Sequence, residues 1–491
     1  MNTYIGIDLG TSTVKMLLVA ADGTILSSVT KDYPVSYPQD GWSEQNPEDW
    51  YTAVLAGISE LLEGQDKKAV KGISAGGQMH GLVALDADDN VVRPCILWND
   101  GRTAKETEYL NTEIGKAKLT ELTGNIAFAG FTAPKILWLK ANEPENFARI
   151  AKIMLPKDYI VYKLSGTFSS DLSDAAGTLL LDVKNRRWSD EMCSICGVSE
   201  KMLPELHESY ETVGKLKSEL AEKFGLCDVK IIAGAGDNAA AAVGTGTVGE
   251  GGCNVSLGTS GTLFVSSATY SEDKRNALHS FCHADGGYHL MGCILSAASC
   301  NAWWADGILG TDDYAKEQAG LDKQLGDNNV YFLPYLMGER SPHNDVNARG
   351  AFIGMRPDTT RGQMTLAVME GVAFALKDCL EAARANGVKV ERTKICGGGA
   401  KSPLWRQIIA DVFDMPVDIP VTEQGPSYGA AMLAMVGCGE YADVKSAADA
   451  IVRVSETVMP DKAAEKYRER YAMFAKLYPA LKDVFRDMSG R

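Results

Sequence analysis

The chain predicts an α/β protein made of two duplicated domains that enclose a cleft. Three observations carry this. The tetrapeptide Leu9-Gly10-Thr11-Ser12 returns half the chain later as Leu257-Gly258-Thr259-Ser260. The length, 491 residues, exceeds the ~250–300 at which a single core stops growing. Strand-like runs alternate with helical ones, which is α/β order. The predicted division is 1–250 and 251–491.

Both copies of the tetrapeptide share a local setting. Tyr4-Ile5-Gly6-Ile7 precedes the first and Val14–Val19 follows it, while Asn254-Val255-Ser256 precedes the second and Thr262–Val265 follows. Each reads as strand, Gly-Thr turn, strand. A glycine there can take positive φ and admit a neighbouring group, and the hydroxyls and N–H groups after it supply donors. One such triplet is an ordinary hairpin turn. Two of them, facing each other, predict a polyphosphate held from both sides.

Ile5 to Val29 predicts a meander, Pro47 to Leu62 a helix beginning near Asn46, and Val70 to Gly76 a strand. Residues from about 103 to 230 read as inserted helical material without a clear sheet pattern, with helices around Ala104–Leu119 and Ala133–Ala141, suited to a substrate lid. A strand from Lys230 runs through Gly234-Ala235-Gly236 into Asp237-Asn238, and the small residues Ala239–Val243 allow a helix to pack closely behind. Further helices are predicted over Thr365–Ala385 and Pro403–Phe413, with a helical, amphipathic tail from Ser446 onward. No low-complexity linker separates the halves, so a short hinge is expected.

Apolar residues make up 45% and charged residues 23%, near the globular average. A formal charge of −15 argues against a nucleic-acid face, which needs clustered Lys and Arg. No apolar stretch of about 18 residues predicts a membrane span, and the start leaves no room for a signal peptide. Eleven cysteines, an odd number lying mostly in apolar segments, fit reduced thiols in a cytoplasmic protein. Cys193-Ser-Ile-Cys196 has metal-ligand spacing but no matching second pair, and reads as packing.

Asp8 stands directly before the first turn, and Lys15 follows it. A carboxylate beside a phosphate loop is costly unless a cation intervenes. That predicts a Mg²⁺ organiser acting through water, against the plainer reading of an Asp that accepts turn N–H groups. Asp237, at a strand end, is the candidate base for transfer to an alcohol; as a lone residue it would equally read as a helix N-cap. Gly397-Gly398-Gly399-Ala400-Lys401-Ser402 joins a strand at Thr393–Cys396 to a helix, and its backbone could lie flat against a nucleotide. Its spacing is not that of a P-loop. Gln78-Met79-His80 and Trp98-Asn99-Asp100-Gly101-Arg102 gather donors and acceptors suited to a polyol, although a lone His80 also reads as structural.

With these residues in view, the chain resembles the FGGY family of carbohydrate kinases, across residues 4 to about 480. Asp8-Leu-Gly-Thr-Ser-Thr-Val-Lys15 is similar to the family's first phosphate loop, Ser256-Leu-Gly-Thr-Ser-Gly261 to the second, and Lys394-Ile-Cys-Gly-Gly-Gly399 to its adenosine loop. Phe131-Thr-Ala-Pro-Lys135-Ile-Leu-Trp138, and Gly350-Ala-Phe-Ile-Gly354 leading to Glu370-Gly371, resemble the two family signatures. Bacterial members that act on D-xylulose resemble it most, on Gly77-Gln-Met-His-Gly81, Ile96–Arg102, Leu155–Tyr159, Ser170–Gly177 and Gly338-Glu-Arg-Ser-Pro-His343. Ser341 stands where many relatives have Thr. Glycerol kinases favour Gly-Asp-Gln where this chain has Gly236-Asp237-Asn238.

The resemblance implies two RNase H-like domains of the actin, hexokinase and Hsp70 ATPase type, the first sugar-binding and the second ATP-binding. It implies in-line transfer of the ATP γ-phosphoryl to the C5 hydroxyl of D-xylulose, in xylose breakdown, with Mg²⁺ and with no nucleic-acid or membrane partner. Asp237 and Asp8 would be catalytic, Asp8 holding Mg²⁺ through water and Asp237 lying near enough to join it. Gln78, Met79, His80, Trp98, Asp100 and Asn238 would contact the sugar. Gly10, Thr11, Ser12, Lys15, Gly258, Thr259, Ser260, Gly398, Gly399, Ala400 and Ser402 would bind ATP. Kinases for ribulose, fuculose, gluconate or glycerol share this machinery and stay open as alternatives, as does a sugar-independent ATPase switch on the same fold. A homodimer is left open.

Overall fold

The computed structural model describes residues 1–422 and 424–489; the ends of the predicted second domain, Gly490 and Arg491, and Glu423 within it lie outside the described residues. Two mixed sheets organise the chain. The first contains β1 (Thr3–Leu9), β2 (Thr13–Ala20), β3 (Ile25–Asp32), β4 (Val70–Gly77), β5 (Thr212–Lys215) and β6 (Lys230–Gly236), in the order β5-β6-β4-β1-β2-β3. The second contains β7 (Cys253–Leu257), β8 (Gly261–Ser267), β9 (His279–Cys282), β10 (Tyr288–Ile294), β11 (Thr393–Cys396), β12 (Val417–Pro420) and β13 (Val454–Val458), in the order β9-β10-β8-β7-β11-β12-β13.

The duplication read from the tetrapeptide extends to the pairing. In each sheet a hairpin (β1–β2, β7–β8) is extended antiparallel on one side by β3 or β10. On the other side come two parallel neighbours, β4 and β6 or β11 and β12, and then an antiparallel edge strand, β5 or β13. Only β9 has no counterpart. β1 is buried along almost its whole length, as expected of a strand covered on both faces, whereas the edge strand β3 alternates partly buried and exposed positions, with Val29 alone fully buried.

Helix α1 (Pro47–Leu61) starts where the sequence places it: the Asn46 side chain accepts the Glu48 N–H, Pro47 opens the first turn, and Glu48 and Asp49 follow. The stretch expected as one helical insertion is divided. Helix α2 (Pro156–Ser165) packs on β4 and β6, putting Tyr159, Ile160, Val161 and Leu164 into the first core, and β5 completes the first sheet. Four residues are too few to show a strand period, which is why β5 escapes sequence reading. The remaining insertion builds its own core around Leu119, Ile136, Leu139 and Leu181, closed by Phe281, Cys282 and Met291 of the second sheet. Cys193 and Cys196 pack inside it. Among the described residues no group of three or more His, Cys, Asp and Glu side chains is placed to hold a metal.

After α3 (Asp237–Gly244), the second half contributes α4 (Arg361–Ala385), α5 (Pro403–Phe413), α6 (Pro426–Gly437) and α7 (Ala463–Ser489). Helix α6 crosses over to pack on β1, β4 and α3, in a core that joins Tyr4, Leu17, Ala239 and Val243 to Ala431 and Leu433. Glycines permit the approach: a Cβ on Gly6 would stand 1.9 Å from the Ser427 carbonyl oxygen, and one on Gly429 1.8 Å from that of Ala240. The tail from Ser446, expected to be helical throughout, is not: Val454–Val458 pairs with β12 as an edge strand before α7 begins. Among the described residues no helix is long and apolar enough to cross a membrane.

Candidate active site

β1, β4 and β6 run parallel and end together, so Asp8, Gln78 and Asp237 emerge at one edge of the first sheet. Asp8 lies opposite Gly76, Gly236 lies opposite Gly77, and the Gln78 N–H donates to the Leu9 carbonyl at 2.8 Å. Burial pushes the Asp8 carboxyl up to about 7; the charge of Asp237 adds to the rise and Lys15 opposes it. Burial likewise raises Asp237 to about 6, against the Asn238 N–H. Asp237 is the first residue of α3 rather than its cap, and its Oδ1 accepts from the Asn238 N–H at 2.7 Å and Nδ2 at 3.0 Å.

A bend in β6 aims Asp237. Gly234 has φ 82°, where a Cβ would stand 2.0 Å from the Ala75 carbonyl oxygen, and the pairing with β4 shifts between Ile232 and Ala235. The bent end is held from below. Fully buried Lys157 donates to the Ala233 carbonyl at 3.1 Å and pairs with Asp158 at 2.6 Å and Asp171 at 2.9 Å, while the Gly236 N–H donates to Ser173 Oγ at 3.2 Å. Removing one member of such a network would leave a buried charge uncompensated, so the position of Asp237 is firmly fixed.

The residues after β4 fall into two groups. Met79 is buried against Gly177 and Gly236, with its sulfur 3.7 Å from Asn238 Nδ2. His80 has φ 71° and stacks on Phe131 at 4.6 Å. Its Nδ1 lies 2.7 Å from the Gly177 carbonyl; a carbonyl only accepts, so Nδ1 carries the hydrogen and Nε2 is left as an acceptor. Burial lowers its pKa to about 3, so the ring is neutral. Buried Lys135 fixes the unusual backbone by donating to the His80 carbonyl at 2.8 Å and the Gly130 carbonyl at 2.7 Å. Gln78, by contrast, is buried and its Nε2 donates to Gln45 Oε1 at 3.0 Å.

The Trp-Asn-Asp segment does not join a sugar pocket in the way its composition suggested. Trp98 donates its indole N–H to Thr11 Oγ1 at 3.0 Å, which places it on the first hairpin. Asp100 is a correction. It is buried, and its two oxygens accept four hydrogen bonds, from the Ser43 N–H and from the Arg102 N–H, Nε and Nη2, so no acceptor remains for a ligand. Arg102 is sandwiched over Trp42 and Trp138 and also pairs with Glu44; the segment is a brace.

The two hairpins are fixed by different means. In the first, Tyr33 Oη donates to the Gly10 and Thr13 carbonyls and Gln45 Nε2 to that of Thr11 at 2.6 Å, while Ser12 is exposed. Lys15 is already engaged, donating to Gln424 Oε1 at 2.6 Å ahead of α6. In the second, the Gly258 and Thr259 carbonyls accept from the Ala298 and Ala297 N–H groups at 2.8 and 2.9 Å, and Ser260 is exposed. The left-handed conformation expected at Gly10 and Gly258 is absent; the left-handed glycine is Gly397, φ 89°, after β11.

A cavity of about 790 Å³ opens beside the second hairpin, lined by Leu257, Gly258, Thr259, Gly398, Gly399 and Ser402 with Ser299, Asn301, Tyr314, Gln318 and Trp405. Its walls are largely small or apolar, a slot for a planar group with a few polar points at the rim. Ser402 caps α5 through the Trp405 N–H at 3.1 Å and donates to Gln318 Oε1 at 2.6 Å. Ala400 is a correction: it is buried inside the turn, does not line the cavity, and gives its carbonyl to Arg406. Sequence reasoning missed Asn301, Tyr314 and Gln318, which precede the glycine loop by about 80 to 100 residues and carry no local signal. Trp405 was within reach, because it stands two residues after Pro403 in a helix the sequence identifies.

Comparison with known proteins follows the same division. The FGGY family of carbohydrate kinases, N-terminal domain, matches residues 3–244, and its C-terminal domain matches residues 253–438. The xylulose kinase of Escherichia coli (strain K12) is 41% identical over 97% of this chain and 99% of its own length. The crystal structure of a "xyloylose kinase" from Brucella ovis superposes with a TM-score of 0.93 at 41% identity, covering 98% of this chain and 100% of that one. The gluconate kinase of Lactobacillus acidophilus reaches 0.94 at 27% identity, with 99% of each chain covered. On both halves of its sequence and on its architecture, the chain belongs to the FGGY family of carbohydrate kinases.

Proposed function

We propose that the chain phosphorylates D-xylulose to D-xylulose 5-phosphate with ATP, Asp237 taking the proton of the C5 hydroxyl as its oxygen bonds to the γ-phosphorus. The single observation that carries the chemistry is Asp237 itself, a carboxyl raised to about 6 by burial at a strand end beside Asp8. A general base works best with a pKa near the operating pH. The choice of sugar rests on the relatives: the fold alone accommodates a gluconate kinase equally well, while full-length identity near 40% is with xylulose kinases.

In this reading residues 1–250 form the sugar side and 251–491 the nucleotide side. The adenosine lies in the cavity at Gly398, Gly399 and Ser402, and the phosphates run between Gly10-Thr11-Ser12 and Gly258-Thr259-Ser260, where N–H and hydroxyl donors hold them in line. Met79, His80 and Asn238 contact the sugar, and His80 Nε2 accepts from a hydroxyl. Asp8 and Asp237 offer two carboxylates at strand ends on either side of β4. That donor set suits Mg²⁺, which keeps most of its waters and completes its shell with phosphates. When bound through water at Asp8, Mg²⁺ supplies charge to offset the β and γ phosphates. Closing the cleft excludes water, which competes with the sugar for the phosphoryl group. We place the reaction in the cytoplasm, in keeping with eleven cysteines of which seven are buried.

ADP release with MgATP, measured against D-xylulose, D-ribulose, L-ribulose, L-fuculose, gluconate and glycerol with a no-sugar blank, tests this. D-xylulose is expected to give the highest kcat/KM. Preference for another sugar would move the substrate assignment, and rates at the blank level with every sugar would end the kinase reading.

A further inference from the structure

Arg340, in the second half, turns its guanidinium onto an aromatic ring of the first. The loop that carries Arg340 is anchored to the end of β10: Glu339 Oε1 accepts the Leu295 N–H at 2.9 Å and the Arg340 N–H at 2.7 Å, and the Ser341 N–H donates to the Cys293 carbonyl at 3.0 Å. The half-buried Arg340 guanidinium lies 5.4 Å over the Phe128 ring, and among the described residues it makes no hydrogen bond or ion pair. Phe128 meets Phe131 at 5.5 Å, and Phe131 stacks on His80. His279, 4% exposed, stands 5.0 Å from Phe128 and 5.7 Å from Phe131, again with no hydrogen bond to either ring nitrogen among the described residues. The charge of Arg340 depresses the basicity of both His80 and His279, whereas Asp237 is governed by burial and Asn238.

Five N–H donors, hydrogen-bonded to no side chain among the described residues, stand beside two neutral imidazoles and two phenyl rings, an arrangement that offers donors to a ligand rich in acceptors. Resting on the D-xylulose reading, we infer that Arg340 is a specificity-determining residue, its guanidinium donating to the C2 carbonyl and C1 oxygen at the end of the ketose away from Asp237. His80 Nε2 accepts a sugar hydroxyl from the opposite wall. A ketone oxygen only accepts, which the donor-only guanidinium matches; the alditol, with a hydroxyl in its place, gains less from the contact. Because Arg340 belongs to the second half and His80 to the first, a bound ketose ties the two halves together.

The test is steady-state kinetics of Arg340→Met and Arg340→Lys with D-xylulose, with xylitol as competitive inhibitor and ATP varied separately. Loss of a charged hydrogen bond predicts a KM for D-xylulose raised about 10- to 100-fold in Arg340→Met, a smaller rise in Arg340→Lys, a xylitol Ki moved less than about threefold, and an unchanged KM for ATP. Arg340→Lys carries the same readout if Arg340→Met does not fold. An unchanged KM for D-xylulose, or equal weakening of D-xylulose and xylitol, would overturn the inference. Wild-type enzyme that ignores D-xylulose would instead bring down the substrate reading and this inference with it.

Discussion

The two sheets repeat one strand order, yet equivalent strand ends carry different chemistry. After β4 the first half places Gln78, Met79 and His80; after β11 the second places Gly397, Gly398 and Gly399. After β6 comes Asp237; after β12, the equivalent strand, come Val421 and Thr422. The first half therefore works with buried ionisable and polar side chains, the second with exposed backbone and a slot. Phosphates and a purine can be held by N–H groups and flat apolar walls, whereas removing a proton needs a side chain whose pKa the fold can move. Duplication supplied the frame, and divergence at the strand ends divided the labour.

The sharpest way to break this comparison is Asp237→Asn. It is expected to lower kcat by about 10²–10⁴, the scale for loss of a general base, with KM for ATP little changed; full turnover would remove Asp237 from the chemistry. Gly398→Val acts on the other half. No atom lies within 4 Å of a Cβ built on Gly398, so the new side chain projects into the nucleotide cavity and should raise KM for ATP about tenfold or more, leaving KM for the sugar alone. Equal effects on both substrates would mean that the halves are not divided as described.

The pH profile sharpens the first half further. With Asp237 titrating at about 6, kcat/KM should fall about tenfold for each pH unit below that value and flatten above it. Stability runs the opposite way. Asp8 and Asp237 titrate higher in the fold, at about 7 and about 6, than their ordinary 3.8. The folded state therefore holds protons that the unfolded chain releases, and stability is lost as pH rises from about 4 through those values. Asp237→Asn should accordingly resist denaturant better than wild type at pH 8, by about 1–3 kcal/mol, with the advantage gone at pH 4. A smaller effect tests the seam between the halves: Gly429→Ala should lower unfolding stability by about 1–2 kcal/mol, because the clash with Ala240 outweighs a gain in helix propensity of about 1 kcal/mol. An unchanged denaturation midpoint would show that α6 can shift.

Much was legible before the fold was known because it is written locally. The hairpins at Gly10 and Gly258, the helix capped by Asn46, the glycine loop before α5 and the strand leading to Asp237 all follow from turn residues, caps and apolar runs. The errors have a common origin. Asp100 looks like a sugar ligand beside Trp98 and Asn99, and only folding reveals that Ser43 and Arg102 consume its oxygens. Ala400 is buried inside its turn, while its neighbours Gly398 and Gly399 line the cavity. β5 and β13 are short edge strands, of four and five residues, too brief to show a strand period.

By itself the sequence determined the duplication, the α/β class and the positions of Asp8 and Asp237 at strand ends, because repeated motifs and strand-end residues are properties of contiguous segments. Tertiary structure alone decided that α6 of the second half roofs the first sheet, that Lys15 reaches Gln424, and that Arg340 and His279 meet Phe128 and Phe131. Each of those contacts joins residues more than a hundred positions apart, and no local propensity encodes which distant surfaces meet. Packing of the two halves makes that choice, through close approach at Gly6 and Gly429 and burial of the core they share.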